Sequence, residues 1–456
     1  MNPIRWIRNG SRTCYSLDRL SRRVSYSKSS QQIPTQWLRQ MLKDRTKPPR
    51  LYAWTLANLP DDTSHGDNPV ETQKFADERR RIYVLGVGNI GRLYASFLAK
   101  NTPRPPITLV VHRSELLEHW RDHPGIELVC DSKPETNTEF DIEWWTDEKP
   151  PQGPVREPAN GAAITNLIVA TKASDALPQV DRLRRYLDAR STVAFTQNGM
   201  CKLWPPLGDA YIAARFPRGG PTWLACVTTH GVTSQGPFQS VHASPADVLV
   251  GTVMTGGARS DDLAAQIVGA PGLAARRVST RELWVAQLEK LVVNSVINPL
   301  TAILRCKNGE LFAQKRDDDG LAEVMDVLLE EASRTLQALV AHPSSDYILS
   351  AGYEATADGN SSDLREQLLE RFSFPRLRAM LYGVAAKVGE NTSSMLQDMR
   401  AGKKTEVEDF NGWLVETAKF LGDDRGLPGH EMMVSLVEYG KMLTPSDLVG
   451  IFFEEA

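Results

Sequence analysis

Lys290, Asn294 and Asn298 stand four residues apart in the run Lys290-Leu-Val-Val-Asn294-Ser-Val-Ile-Asn298-Pro299-Leu-Thr301-Ala302. A helix advances about 100° per residue, so such a series drifts by only about 40° per step. An ammonium that can give up a proton and two amides that can hydrogen-bond a ligand therefore line one side. Leu291, Val292, Val293, Val296 and Ile297 occupy nearly every other side, as in a helix buried on most faces. One such polar group could cap a neighbouring helix or snorkel to water, but a regular stripe of three points to a cleft. Pro299 has no amide proton and crowds the carbonyl four residues back, so the helix is expected to kink or stop just after Asn298.

The elements that must position this stripe begin with Arg81-Ile-Tyr-Val-Leu85, an apolar run that enters Gly86-Val87-Gly88-Asn89-Ile90-Gly91. Leu93, Phe97 and Leu98 continue at helical spacing, so strand, glycine turn and helix occur in order. That context predicts a dinucleotide site, in which a pyrophosphate sits at a helix N-terminus and side chains on the glycines would block its approach. The next strand, Ile-Thr-Leu-Val-Val from residue 107, ends in His112-Arg113 and lacks the acid that would bind a ribose 2′-hydroxyl. Arg113 offers a cation for a 2′-phosphate, which favours NADP over NAD. Further strands are expected at 125–130, 140–145, 164–170 and 192–196, with a Pro and Gly-rich loop at 150–161, giving a doubly wound sheet with a hairpin insertion. Lys172 and Asn198 follow two of these strands at the carboxyl ends where ligands bind in open α/β sheets; alone, they read equally as a surface lysine and an Asn-Gly turn. Thr405-Glu406-Val407-Glu408 has the capping-box pattern and predicts Glu406 in the first turn of a helix, where an ionised carboxylate is favoured.

With 456 residues, 41% hydrophobic and 24% charged, the chain has the composition of a two-domain globular protein. Its net charge of -3 gives no electrostatic argument for nucleic acid, and no stretch is apolar for long enough to span a bilayer. The five cysteines are scattered singly, without zinc-ligand spacing or a disulfide framework, so they read as reduced thiols and no metal is expected.

Several separated motifs, taken in order, resemble the 2-dehydropantoate 2-reductase (ketopantoate reductase) family from about Arg81 onward. They are Gly86-x-Gly88-x-x-Gly91, Lys172-Ala-Ser-Asp175, Asn198-Gly-Met200, Thr228-Thr-His-Gly231, the Lys290 to Ala302 run, Ser393-Ser394-Met-Leu-Gln-Asp398, Lys404-Thr-Glu406 and Asn411-Gly412. The resemblance implies an N-terminal Rossmann-like NADP-binding domain at 81–280 and a mainly α-helical substrate domain at 281–456. It also implies Lys290 as general acid, with Asn198, Asn294, Asn298 and Ser394 on the substrate's carboxylate and hydroxyl and Glu406 as a substrate anchor. Gly86, Gly88, Asn89, Ile90, Gly91, Arg113, Lys172 and Asn198 would bind NADPH. The physics is coherent, because hydride delivery to a ketone leaves charge on oxygen that an ammonium can protonate. The expected reaction is reduction of 2-dehydropantoate to pantoate, toward pantothenate and coenzyme A. The alternatives are another 2-oxo acid or a non-catalytic mitochondrial scaffold that keeps the fold, with a homodimer left open. Gln235-Gly-Pro-Phe-Gln-Ser-Val-His242-Ala-Ser departs from the family's usual His-Thr-Gly segment, 31–80 reads as an extension or linker, and 342–370 reads as an insertion in the helical domain.

Residues 1–30 carry Arg5, Arg8, Arg12, Arg19, Arg22, Arg23 and Lys28 against the single acid Asp18, amid abundant serine. This is the composition of a mitochondrial presequence. A reporter fused to residues 1–40 should reach mitochondria; a reporter that stays cytosolic in fractionation leaves only a basic tail.

Overall fold

The computed structural model describes residues 36–60, 79–256, 261–313, 320–350 and 361–453. The presequence-like segment lies outside these residues. The strands are β1 (Tyr52–Trp54), β2 (Ile82–Leu85), β3 (Ile107–Val111), β4 (Ile126–Cys130), β5 (Lys133–Asn137), β6 (Asp141–Thr146), β7 (Asn166–Val169), β8 (Thr192–Phe195), β9 (Thr222–Thr228), β10 (Gly231–Gly236), β11 (Gln239–Ser244), β12 (Val248–Met254) and β13 (Ala275–Arg277).

Short runs of β-branched and aromatic residues with no exposed face, such as β2, β3, β7 and β8, form the parallel centre of a sheet ordered β1-β6-β3-β2-β7-β8-β9-β12-β13. Strand order reverses at β2, between β3 and β7, which places the glycine turn at the topological switch point. The 31–80 stretch is more than a linker. Its β1 pairs antiparallel with β6 at the sheet edge, and its helix Gln36–Lys43 is clasped by buried Arg215, which donates to the Met41 carbonyl at 3.1 Å and the Asp44 carbonyl at 2.6 Å. A strand of three residues is too short to show alternation, so sequence periodicity could not reveal it. A hairpin insertion is present, but its second strand is β5, outside the expected strands, while the 140–145 run joins the main sheet as β6; β4–β5 joins β10–β11 in a second sheet ordered β10-β11-β4-β5.

Ser279 caps the long helix Thr280–Leu304 in a capping box with Glu282, and Leu283, Trp284 and Leu288 pack it in one core with Phe195, Trp223 and Val227 of the sheet. Around it lie helices Leu321–Ala341, Phe374–Val388, Ser394–Arg400, Trp413–Leu421 and Pro428–Glu438. The 342–370 stretch is helical at Asp346–Ser350 and from Ser361 onward; residues 351–360 lie outside the description.

Of the expected kink or stop after Asn298, the stop does not occur: the helix runs through Pro299 to Leu304. A proline at 299 leaves the Ser295 carbonyl without its donor, and the side chain of Asn411 supplies one at 2.8 Å. The second Asn411 amide proton goes to Nδ1 of His430, 2.9 Å away, whose Nε2 faces the Leu328 carbonyl at 3.1 Å. Burial holds His430 down to about 4, so at neutral pH the ring is uncharged and can accept.

Asn411→Ala should cost about 1–3 kcal/mol in denaturant unfolding, because it strands a buried carbonyl. Adding Pro299→Ala in that background should recover part of the loss by returning a backbone donor. No recovery would mean that Asn411 does not substitute for the missing bond.

Candidate active site

The three glycines of the turn have three different reasons to be glycine. Gly86 takes φ +94°, and a Cβ there would lie 2.9 Å from the carbonyl of Ala170. At Gly91 a Cβ would meet the Gly86 carbonyl oxygen at 2.0 Å, so helix Asn89–Leu98 could not approach the strand as closely. Gly88, at the helix N-cap, faces open space with nothing within 4 Å of a Cβ, as a cradle for a ligand's phosphates requires. The backbone amides of Asn89 and Ile90 begin this helix. The Asn89 side chain turns aside, donating to the Val232 carbonyl at 3.1 Å.

Arg92, unremarked in the sequence, is buried beneath this turn. It donates to the carbonyls of Gly236 and Gln239, both at 2.7 Å, and to Asn89 Oδ1 at 3.0 Å. Desolvation pulls its guanidinium down to about 10. The segment that departs from the family pattern is thus the β10–β11 hairpin, clamped onto the cofactor helix. A lone charge among Leu93, Tyr94 and Ala95 was the available signal. Arg113 is exposed just beyond β3, across β2 from the residues that follow β7.

Lys172, after β7, reaches across to the helical half. Its ammonium pairs with Asp398 at 2.7 Å and donates to the Lys404 carbonyl. Asn198, after β8, is reached by Lys290, which donates to its Oδ1 at 2.9 Å and also to the Thr228 carbonyl at the end of β9. The Asn198 amide in turn faces Glu406 Oε2 at 3.5 Å, a long contact. Gln287, one turn before Lys290, fixes this turn by donating to the Gly199 carbonyl at 3.0 Å. Gly199 takes φ +75° with the Asp409 carbonyl and the Phe410 ring against it.

Glu406 is not inside a helix's first turn. The chain enters a short π-helical stretch, Glu408–Gly412, and the Glu406 carbonyl accepts the first amides, from Asp409 at 3.0 Å and Phe410 at 3.1 Å. Its carboxylate therefore stands at the mouth of the turn, where Asn198 can meet it. Asn294 and Asn298 continue the Lys290 stripe, half-buried and buried, and among the described residues their amides have no hydrogen-bond partner. Ser394 is exposed at the start of its helix, while neighbouring Ser393 is buried, capping Leu396 and accepting from the Thr301 hydroxyl at 2.7 Å.

Desolvation pulls the Lys290 ammonium down to about 8, with Glu406 pulling the other way. Burial raises the Glu406 carboxyl above the usual carboxylate range, opposed by the Lys172 ammonium. A half-buried ammonium, amides without partners among the described residues and a buried acid thus meet where strand ends face the long helix. Among the described residues no three His, Cys, Asp or Glu side chains converge as metal ligands, and no helix is long and apolar enough to cross a membrane.

Residues 82–254 match the ketopantoate reductase PanE/ApbA family, and residues 282–439 match its C-terminal domain. The chain is 44% identical over 437 residues to the ketoisovalerate reductase BEA2 of Gibberella fujikuroi, covering 90% of this chain and 96% of that one. It is 41% identical over 449 residues to the ketoisovalerate reductase of Beauveria bassiana, covering 90% and 97%. In fold it is similar to a probable 2-dehydropantoate 2-reductase of Bacillus subtilis, with TM-score 0.53 and 20% identity over 79% of this chain and 100% of that one. Matched along both halves, the chain belongs to the ketopantoate reductase family of oxidoreductases.

Proposed function

We propose that this chain reduces the ketone of a small branched 2-oxo acid with NADPH, 2-ketoisovalerate first and 2-dehydropantoate second. The observation that carries the reading is the half-buried Lys290 ammonium, held by Asn198 and Thr228 on the same helix stripe as the open amides of Asn294 and Asn298. When bound, the reduced nicotinamide supplies a hydride to the carbonyl carbon. Lys290 then protonates the oxygen on which charge grows, and its lowered pKa, about 8, matches a donor working near neutral pH. Asn198, Asn294, Asn298 and Ser394 would hold the substrate's polar end. The glycine turn with the amides of Asn89 and Ile90 would hold the pyrophosphate, and Arg113 and Lys172 would take the remaining cofactor contacts.

The choice of 2-ketoisovalerate rests on the relatives of that name, which are similar along nearly their whole length. Glu406 supports the second reading: 2-dehydropantoate adds a hydroxymethyl group to the same skeleton, and a buried carboxylate could accept that hydroxyl. With 2-dehydropantoate the product would feed pantothenate and coenzyme A, in mitochondria if residues 1–30 act as a presequence.

A panel of 2-oxo acids, followed by NADPH oxidation, tests the reading; no turnover of any member would refute it. Lys290→Ala should lower kcat by a factor on the order of 10² or more while NADPH affinity stays unchanged. The protonated lysine is the active form. In the parent, kcat/KM should therefore hold steady below a pH of about 8 and fall as pH rises through it. Glu406→Ala should raise KM strongly for 2-dehydropantoate and little for 2-ketoisovalerate.

Cofactor choice is a separate measurement. NADPH should bind more tightly than NADH, and Arg113→Ala should erase the difference. Equal affinities in the parent would remove Arg113 from the site.

A further inference from the structure

Asp409 and Lys202 have no part in the proton donation above, yet their side chains join three separate pieces of the molecule. Asp409 is buried in the turn that carries Glu406, and its own amide closes that turn on the Glu406 carbonyl at 3.0 Å. Its Oδ2 accepts the backbone amide of Ser174 at 3.1 Å, two residues beyond Lys172 in the first turn of helix Ala173–Arg182. One carboxylate thus ties the Glu406 turn to the Lys172 loop.

That carboxylate is costly to bury, and burial pushes it above the usual range; the main cation opposing this is Lys202, with Nζ 3.7 Å from Oδ1, aided by the Ser174 amide and Lys404. The Lys202 ammonium also lies over the indole of Trp37, 5.1 Å from the ring centre. Trp37 belongs to the helix Gln36–Lys43 of the N-terminal extension, which lies outside both stretches matched to the family and is locked down by Arg215. Trp37, Lys202, Trp204, Trp413 and Glu416 line one aromatic pocket at this meeting point. Glu416 is also raised by burial and is pulled back by Lys202. The lysine is therefore aimed by an aromatic face on one side and by the acids Asp409 and Glu416 on the other.

We propose that Asp409 is a positioning residue for both halves of the active site, and that the N-terminal extension holds it in place through Trp37 and Lys202. This rests on the reductase reading above. Without the Trp37 face, Lys202 is free to swing into solvent. Asp409 then loses its ion-pair partner, and its hold on Ser174 and the Glu406 turn slackens together. The extension thereby acquires a function that its distance from Lys290 hides.

The test uses the full-length chain carrying Asp409→Ala, Asp409→Asn, Trp37→Leu or the pair Trp37→Leu with Asp409→Ala. Steady-state kinetics with the best 2-oxo acid are combined with fluorescence titration of NADPH binding. Asp409→Ala should raise both KM and the NADPH Kd by about tenfold, the scale of one lost buried hydrogen bond, while kcat changes little. Asp409→Asn keeps an acceptor for the Ser174 amide and should recover most of the NADPH affinity. Trp37→Leu should raise both constants severalfold in the parent and add nothing to Asp409→Ala. Parental constants in Trp37→Leu, or full additivity of the pair, would overturn the proposal. If Asp409→Ala does not fold, Trp37→Leu is combined with Asp409→Asn and judged by the same rule. A parent that turns over no 2-oxo acid sinks the reductase reading alone, because the NADPH titration still reads the Asp409–Ser174 link.

Discussion

The site is organised around one half-buried ammonium. Lys290 projects from the long helix into a space closed by the ends of β8 and β9, where the Asn198 side chain and the Thr228 carbonyl are its acceptors. Two neutral acceptors stabilise the charge less than bulk water would, and the displaced acidity of the lysine records that deficit. On the proposed reaction that deficit would be useful, since a proton held less tightly is more readily given to a developing alkoxide. It persists only while the helix and the strand ends stay in register.

That register comes from a short stretch of the helical half. Asn411 restores the hydrogen bond that Pro299 removes, so the helix continues far enough to present Asn298 and to bury Thr301 against Ser393. Glu406 and Asp409 lie within five residues of Asn411 in the same turn. The turn that repairs the helix is therefore also the one that aims the acids, and a disturbance there should reach stability and binding together. Gln287 completes the arrangement from the other side by fixing the Asn198-Gly199 turn.

The nucleotide end is organised on the same plan, with Arg92 in the role that Asn411 plays at the substrate end. Its guanidinium gathers the carbonyls of the β10–β11 hairpin under helix Asn89–Leu98, so the second sheet is tied to the glycine turn. The cleft accordingly has a fixed wall on each domain. The polar groups left open between them are those expected to meet a ligand.

The sequence by itself determined the features that depend on a few neighbouring residues. Gly86, Gly88 and Gly91 announce a turn because only glycine tolerates that backbone and that closeness, and the spacing of Lys290, Asn294 and Asn298 announces one helix face because the helical period is local. The parallel core was legible for the same reason, as runs with no polar face. The tertiary structure alone decided whether the helix survives Pro299, since the rescuing amide belongs to Asn411, remote in sequence. It alone placed Glu406 at the mouth of a π-turn, put β1 on the sheet edge and turned Arg92 under the hairpin. Apart from the π-turn, whose hydrogen bonds are local, these outcomes are hydrogen bonds between residues far apart in the chain, and no local pattern encodes the identity of a distant partner.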